Sequence, residues 1–262
     1  MGLSKKEQNK LFTAGYFTKG VLYLLIGGFA MATVIGSQTS ANGPKAVLDW
    51  IANNPFGQVL LFLTATGLAA YAVWRWFTAV GDTEAAGTDA KGIVKRVGYA
   101  ASGTGYGLLS FYAFKKLFGS GGGGGTSQQD MVAMLLEQSY GQWLVGILAV
   151  IVAGTGVYQL YRGVTDKHMD NIEGQHLDND VQDAFRYTGR IGLIARFIVF
   201  GVIAYFLLRA AQTANAGEFR GMAEAIDSLR GADYGSALVL LVGLGMLAYG
   251  LFMMVRARYE TV

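Results

Sequence analysis

The sequence has no cysteine, only two prolines, and charged residues at 15% of 262 positions. The missing thiol excludes disulfides, thiolate metal sites and cysteine nucleophiles. An ordinary soluble domain is about 25% charged, so the charge content alone sets this chain apart. The net charge of +3 is small and dispersed, which leaves no basic patch of the kind that binds nucleic acid. What the sequence does hold is apolar: 52% hydrophobic residues, with 38 glycines, about twice the usual share of roughly 7%.

The apolar residues fall into six runs, 11–35, 57–78, 97–118, 142–161, 191–211 and 235–255. Each is near the length of about 20 residues that crosses a bilayer as a helix. No aspartate or glutamate lies in any of them. Lys19 and Arg196 do, with Arg75, Lys115, Lys116 and Arg209 close to ends. Backbone polar groups in lipid must be satisfied within the chain, so helices are the expected form. The first run is too long, and lacks the small-residue site, for a cleavable signal. One side carries Lys5, Lys6, Lys10, Arg75, Lys91, Lys95, Arg96, Arg162, Lys167, Arg186, Arg190, Arg256 and Arg258. The other side carries Lys45, Lys115, Lys116, Arg209, Arg220 and Arg230. The richer side faces the cytoplasm, which predicts a multi-pass cell-membrane protein with both termini cytoplasmic.

The runs repeat in pairs. Gly15-Tyr16-Phe17-Thr18-Lys19-Gly20 aligns with Gly98-Tyr99-Ala100-Ala101-Ser102-Gly103 and with Gly192-Leu193-Ile194-Ala195-Arg196-Phe197. Four residues beyond Lys19, Ser102 and Arg196 stand Tyr23, Tyr106 and Phe200. The second run of each pair is headed by Phe56-Gly57, Tyr140-Gly141 or Tyr234-Gly235, and carries Gly67-x-x-x-Tyr71, Gly154-x-x-x-Tyr158 or Gly245-x-x-x-Tyr249. The expected fold is all-α: six transmembrane helices as three parallel two-helix repeats, over 1–90, 91–185 and 186–262, around a quasi-threefold axis along the membrane normal. Between the helices of each pair the spacing predicts a short interfacial helix. Its apolar face is Ala46, Val47, Trp50 and Ile51 in the first copy, Met131, Met134 and Leu135 in the second, and Met222, Ile226 and Leu229 in the third.

The glycine–tyrosine motif with a base three positions past the tyrosine, the Asn54-Pro55-Phe56-Gly57 turn and Gly67-x-x-x-Tyr71 together resemble the bacterial family catalogued as domain of unknown function 1206. That resemblance covers nearly the whole chain and implies three two-helix repeats in a membrane. It implies no activity. The chain departs from the family pattern at Ser102, where a base is usual, at Phe197, and at Gly231-Ala232-Asp233.

Lys19, Ser102 and Arg196 are the sharpest candidates, because a base inside a span is expensive and marks function by default. With Tyr23 and Tyr106 they form a candidate site for an anion or a lipid headgroup, if they face a common axis. The plainer alternative is snorkelling toward inner-leaflet phosphates. Tyr16, Tyr99, Tyr71, Tyr158 and Tyr249 fit an interfacial aromatic belt, with a tyrosine-lined pore entrance as the alternative. Gly27-Gly28 and Gly103-x-x-x-Gly107 fit close helix packing. His168 and His176, among the acids between 166 and 183, are a weak metal candidate, since their spacing matches no zinc or calcium pattern. The run 121–125 of glycines lacks the Lys-Ser/Thr of a phosphate loop. No histidine or acid lies in a span, so the constellations of a membrane enzyme are missing. A non-enzymatic protein with no cofactor and the lipid bilayer as its partner is therefore expected. It is either a channel or transporter for a small anion, or a scaffold or accessory subunit, or a binder of inner-leaflet anionic lipid.

Overall fold

The computed structural model describes residues 5–35, 43–82, 87–118, 128–172 and 178–260. These form α1 (Lys5–Val34), α2 (Pro44–Ala52), α3 (Gly57–Gly81), α4 (Ala90–Leu117), α5 (Gln128–Leu136), α6 (Gly141–Val164), α7 (Asn179–Thr213), α8 (Met222–Ser228) and α9 (Gly235–Tyr259). Short 3-10 turns lie at Met169–Ile172, Ala216–Glu218 and Leu229–Gly231, and no strand occurs among the described residues. The six long helices cover the six apolar runs, extending past them mainly at the basic ends.

Five of the long helices, α1, α3, α6, α7 and α9, are long and apolar enough to cross a membrane. α4 has the length, at 28 residues, but glycines, small hydroxyl residues and terminal lysines dilute its apolar character. The short helices α2, α5 and α8 occupy the expected interfacial segments; Ile226 of α8 is buried as expected, while the buried faces of α2 and α5 are rotated from the expected ones. Val47, Leu48 and Ile51 are buried in α2 while Trp50 is exposed. In α5 Val132 is buried and Met131 and Met134 are exposed. The compact β-branched and leucine side chains fill the space against the long helices, and the bulkier ones are turned outward.

The chain divides into two compact units, the first made of Met1–Leu22, Val47–Gly122 and Met253–Val262, the second of Tyr23–Ala46 and Gly123–Phe252. In the first unit α3 packs on α4. Ser110 donates to the Ala65 carbonyl at 2.8 Å, and Arg96 reaches the carbonyls of Ala79 and Val80 at 2.7 and 2.8 Å. Gly103 lies so close to α3 that a Cβ there would meet Trp76 at 2.9 Å. α1 crosses α3 where Gly15 faces the Tyr71 backbone, and Phe12 meets the edge of Trp74.

In the second unit α6 packs on α7. Val145 and Ala149 of α6 join Val132, Leu207, Ala210 and Ala211 in one buried cluster. α7 crosses α9 where Gly192 faces the Tyr249 backbone. Gly27 likewise admits α9, since a Cβ on it would sit 2.6 Å from the Gly243 carbonyl oxygen. Small residues thus do in this fold what they do in lipid generally, bringing backbones together where no apolar driving force separates helix from solvent.

Candidate functional site

In the first and third repeats the crossing of first and second helix carries the same chemistry. In the first unit, Gly15 of α1 lets the chain approach Tyr71 of α3, where an added Cβ would lie 2.7 Å from the Tyr71 Cα. One turn further along α1, the Lys19 ammonium donates to the Tyr71 phenol oxygen at 3.0 Å. Gly67, one turn earlier on α3, is filled by Thr18. In the second unit the pattern recurs: Gly192 of α7 admits Tyr249, Arg196 donates to the Tyr249 phenol oxygen, and Gly245 is filled by Ala195. A Gly-x-x-x-base helix thus locks onto a Gly-x-x-x-Tyr helix in both.

A third helix completes each clasp. Tyr106 of α4 brings its ring centroid to 5.3 Å from the Lys19 nitrogen and stacks edge-on with Tyr71 at 4.7 Å. Tyr23 of α1 brings its ring to 5.5 Å from the Arg196 guanidinium and meets Tyr249 edge-on at 4.8 Å. Tyr106 and Tyr23 occupy the same position in their repeats. Lys19 of the first repeat therefore takes a ring from the second, and Arg196 of the third takes one from the first. Phe200 adds a ring at 4.8 Å beside Arg196.

The first clasp is extended by two more bases. Arg75 donates to Tyr71 at 2.9 Å and to Tyr16, and its guanidinium lies 5.1 Å from the Tyr99 ring. Arg256 lies 4.5 Å over the Tyr16 ring and pairs with Glu260. Lys19 is only 5% exposed, and Tyr16 and Tyr71 are buried with it. Aromatic faces and phenol oxygens are the polar partners offered to these cations inside the helix bundle.

The structure thus brings Lys19 together with Tyr106 in the first unit and Arg196 together with Tyr23 in the second, as two separate groups, where the expectation placed all four with Ser102 in a single site. Ser102 stands half-buried on α4. The second repeat does not repeat the clasp: a Cβ added at Gly98 or Gly154 meets nothing within 4 Å, and Tyr158 is 52% exposed. Its two long helices belong to different units, α4 packing on α3 and α6 on α7.

Two expectations change. Snorkelling does not describe Lys19, whose ammonium is enclosed by phenols. The aromatic belt accounts for exposed Tyr158 but not for Tyr16, Tyr71 or Tyr249, which are buried because their oxygens accept from bases. Those three tyrosines, with Arg75 and Arg256, complete the clasps and lay outside the expected site. The signal was present, since 52 residues separate Lys19 from Tyr71 and 53 separate Arg196 from Tyr249.

His168 is buried between Phe185 and Phe252, its Nδ1 3.0 Å from the Arg162 carbonyl and its Nε2 3.1 Å from the Arg186 carbonyl. With both ring nitrogens directed at carbonyl oxygens, it presents no lone pair to a metal in this arrangement. His176 and the 121–125 glycines lie outside the described residues. No group of three or more potential metal ligands occurs among the described residues. Beside His168, Asp166 receives Arg190 through two contacts of 2.6 and 2.5 Å. The hydrogen bond from Arg190 holds the Asp166 carboxyl below its ordinary value, with the charges of Arg190, His168 and Arg186 acting in the same direction.

Comparison with known proteins bears on the three repeats of the sequence. The family described as Domain of Unknown Function (DUF1206) matches the chain three times, over 14–82, 97–166 and 191–260. A curated relative, the Uncharacterized protein YxxB of Bacillus subtilis (strain 168), is 31% identical over 246 residues, 94% of this chain and 89% of the relative. No solved structure matches. With three matches that together span most of its length, each containing a Gly-x-x-x-Tyr helix, the chain belongs to the DUF1206 family.

Proposed function

We propose that the chain is a non-enzymatic, six-span protein of the cell membrane, with both termini cytoplasmic, that serves as a membrane scaffold or accessory subunit. Its three repeats close around a quasi-threefold axis, and the base–tyrosine clasps hold that closure. The observation that carries this reading is the enclosure of the Lys19 ammonium, 5% exposed and hydrogen-bonded to Tyr71. A base built to attract a passing ion would stand in a wetted cavity. One held by a phenol between three helices joins those helices. The cyclic order of the partners, first repeat with second and third with first, supports the threefold closure, and the placing of lysines and arginines supports the orientation.

A second reading, a path for a small anion, draws support from the charge pattern: bases and no acids in the spans. Reconstitution separates the two. The scaffold reading expects anion flux in liposomes no greater than in empty vesicles, and a lowered melting temperature for the Lys19→Met, Arg196→Met double variant. Saturable flux that this variant abolishes would replace the scaffold reading with the conduit. Retention of an anionic phospholipid through purification, lost in the same variant, would point instead to headgroup binding.

A further inference from the structure

At the head of the second long helix in every repeat the fold leaves an aromatic ring bare. Phe56 before α3 is 84% exposed, Tyr140 before α6 75%, and Tyr234 before α9 88%. The turn around each ring makes the same hydrogen bonds. The amide of the following glycine donates back three residues: Gly57 to Asn54 at 2.8 Å, Gly141 to Gln138 at 2.7 Å, and Gly235 to Ala232 at 2.8 Å. The carbonyl of the aromatic residue then accepts the first helical bond, from Leu60, Leu144 and Leu238, each at 3.1 Å. The glycines are needed, because a Cβ on any of them would strike carbonyl oxygens at the end of the preceding short helix.

The aromatic residues are not needed for this turn, and at two of them the backbone argues against one. Phe56 and Tyr234 both have φ 61, the left-handed region where a bulky side chain is an outlier and glycine or asparagine is at ease. Strain of this kind persists where something outside local geometry favours the residue. Burial of the ring within the fold does not supply it here, since the rings are among the most exposed in the chain. The residues that follow are exposed and apolar as well: Val59 and Leu63 on α3, Trp143 and Ile147 on α6, Leu241 and Leu244 on α9. Each ring therefore stands at a border, with a polar turn on one side and a lipid-compatible helix face on the other. That is the setting in which aromatic side chains favour the headgroup level of a bilayer.

We propose that Phe56, Tyr140 and Tyr234 are lipid-interface anchors, one per repeat, that fix the depth of α3, α6 and α9 in the bilayer at the end opposite the chain termini. This rests on the reading of the long helices as membrane spans. The anchor holds each second helix against sliding along the first, so that the glycine and tyrosine of the clasp stay in register with the base. Tyr140 has an unstrained backbone, φ −111, and its repeat has no clasp to keep in register. The left-handed aromatic occurs in the two repeats that do.

The test uses the absence of native cysteine. A nitroxide is placed through Leu63→Cys, and separately through Val150→Cys near the middle of α6, in the full chain reconstituted into phosphatidylcholine–phosphatidylglycerol vesicles. Power saturation with oxygen and a nickel chelate then reads depth. Phe56→Asn is expected to raise the melting temperature in detergent, by relieving the left-handed aromatic. In vesicles it shifts the Leu63 label by about one to two residues of helix rise, ~1.5–3 Å. Phe56→Trp keeps the label at the original depth. A label depth unchanged by Phe56→Asn overturns the proposal and directs the ring to a protein partner absent from the vesicles. A melting temperature lowered by Phe56→Asn overturns it too, because the ring would then belong to the packing of the fold. A Val150 label that the nickel chelate reaches freely overturns the membrane reading itself, a result distinct from either.

Discussion

Lys19 and Tyr71 meet as donor and acceptor at 3.0 Å across the α1–α3 crossing, both buried, and Tyr71 accepts a second time from Arg75 at 2.9 Å. One phenol oxygen thus serves two cations where the spans offer no carboxylate. Hydrogen bonds to charged groups contribute about 1.5–3 kcal/mol each. Tyr71→Phe removes the acceptor and leaves both bases to be satisfied elsewhere, so it is expected to destabilise the fold by an amount in that range. Tyr158→Phe, at the equivalent but exposed position, is expected to stay within about 0.5 kcal/mol of the parent. Chemical unfolding in detergent, with Lys19→Met added to complete a double-mutant cycle, checks both the loss and its coupling to the base. Equal effects of the two tyrosine substitutions would mean that the clasp contributes nothing.

Gly15 and Gly192 test the same crossing sterically. A Cβ would lie 2.7 Å from the Tyr71 Cα at the first and 2.5 Å from the Tyr249 Cα at the second, and the obstacle in each case is backbone. Overpacking of this kind costs typically about 1–3 kcal/mol. Gly15→Ala and Gly192→Ala should each lower the melting temperature clearly. Gly98→Ala, where a Cβ meets nothing within 4 Å, should leave it unchanged or slightly raised. A Gly98→Ala variant as unstable as Gly15→Ala would show the second repeat closed like the others.

Much of this was legible in the sequence, and the reason is the repetition. Apolar runs free of acids set the helices, and Gly15, Gly98 and Gly192 in register set the three copies. The repeat also singled out Lys19, Arg196, Tyr23 and Tyr106, though as one site with Ser102 and not as the two separate pairs that the fold makes. What one-dimensional reading missed was Tyr71 and Tyr249. Tyrosine near a span's end has two homes, the headgroup layer or a buried cation, and depth alone does not distinguish them. The faces of α2 and α5 were misjudged for a related reason: on a nine-residue helix, several stripes satisfy the same spacing, and fit against the long helices selects among them. The strain at Phe56 and Tyr234 is a backbone property with no sequence signature beyond the glycine that follows.

His168 supplies a prediction about metals. Its ring nitrogens lie 3.0 and 3.1 Å from two carbonyl oxygens, so binding a divalent ion there would require breaking contacts that join the α6–α7 connection to α7. Zinc or nickel at submillimolar concentration should leave the melting temperature of the wild type where it is, and His168→Asn should respond identically to the ions. A metal-induced rise that His168→Asn removes would restore the histidine as a ligand.

The carboxylate next to it governs acid sensitivity. Asp166 accepts two hydrogen bonds from Arg190, with Arg186 nearby at 3.8 Å, and its folded-state value is lowered by that arrangement. A group whose value falls on folding adds stability above its unfolded value, about 3.9 for aspartate, and that stability is lost as pH drops toward the folded value. The contribution is therefore constant between pH 7 and about 5 and begins to fall below about 4. Asp166→Asn keeps a residue at ease with φ 56 while removing the charge. The melting-temperature gap between wild type and Asp166→Asn should accordingly be flat from pH 7 to 5 and narrow progressively as the pH falls below about 4. Hydrogen exchange in the 162–190 segment should show the same window, since Arg190 joins α7 to the turn that Asp166 occupies. A gap that persists undiminished at pH 3, or one that opens only above neutrality, would assign the effect to another group.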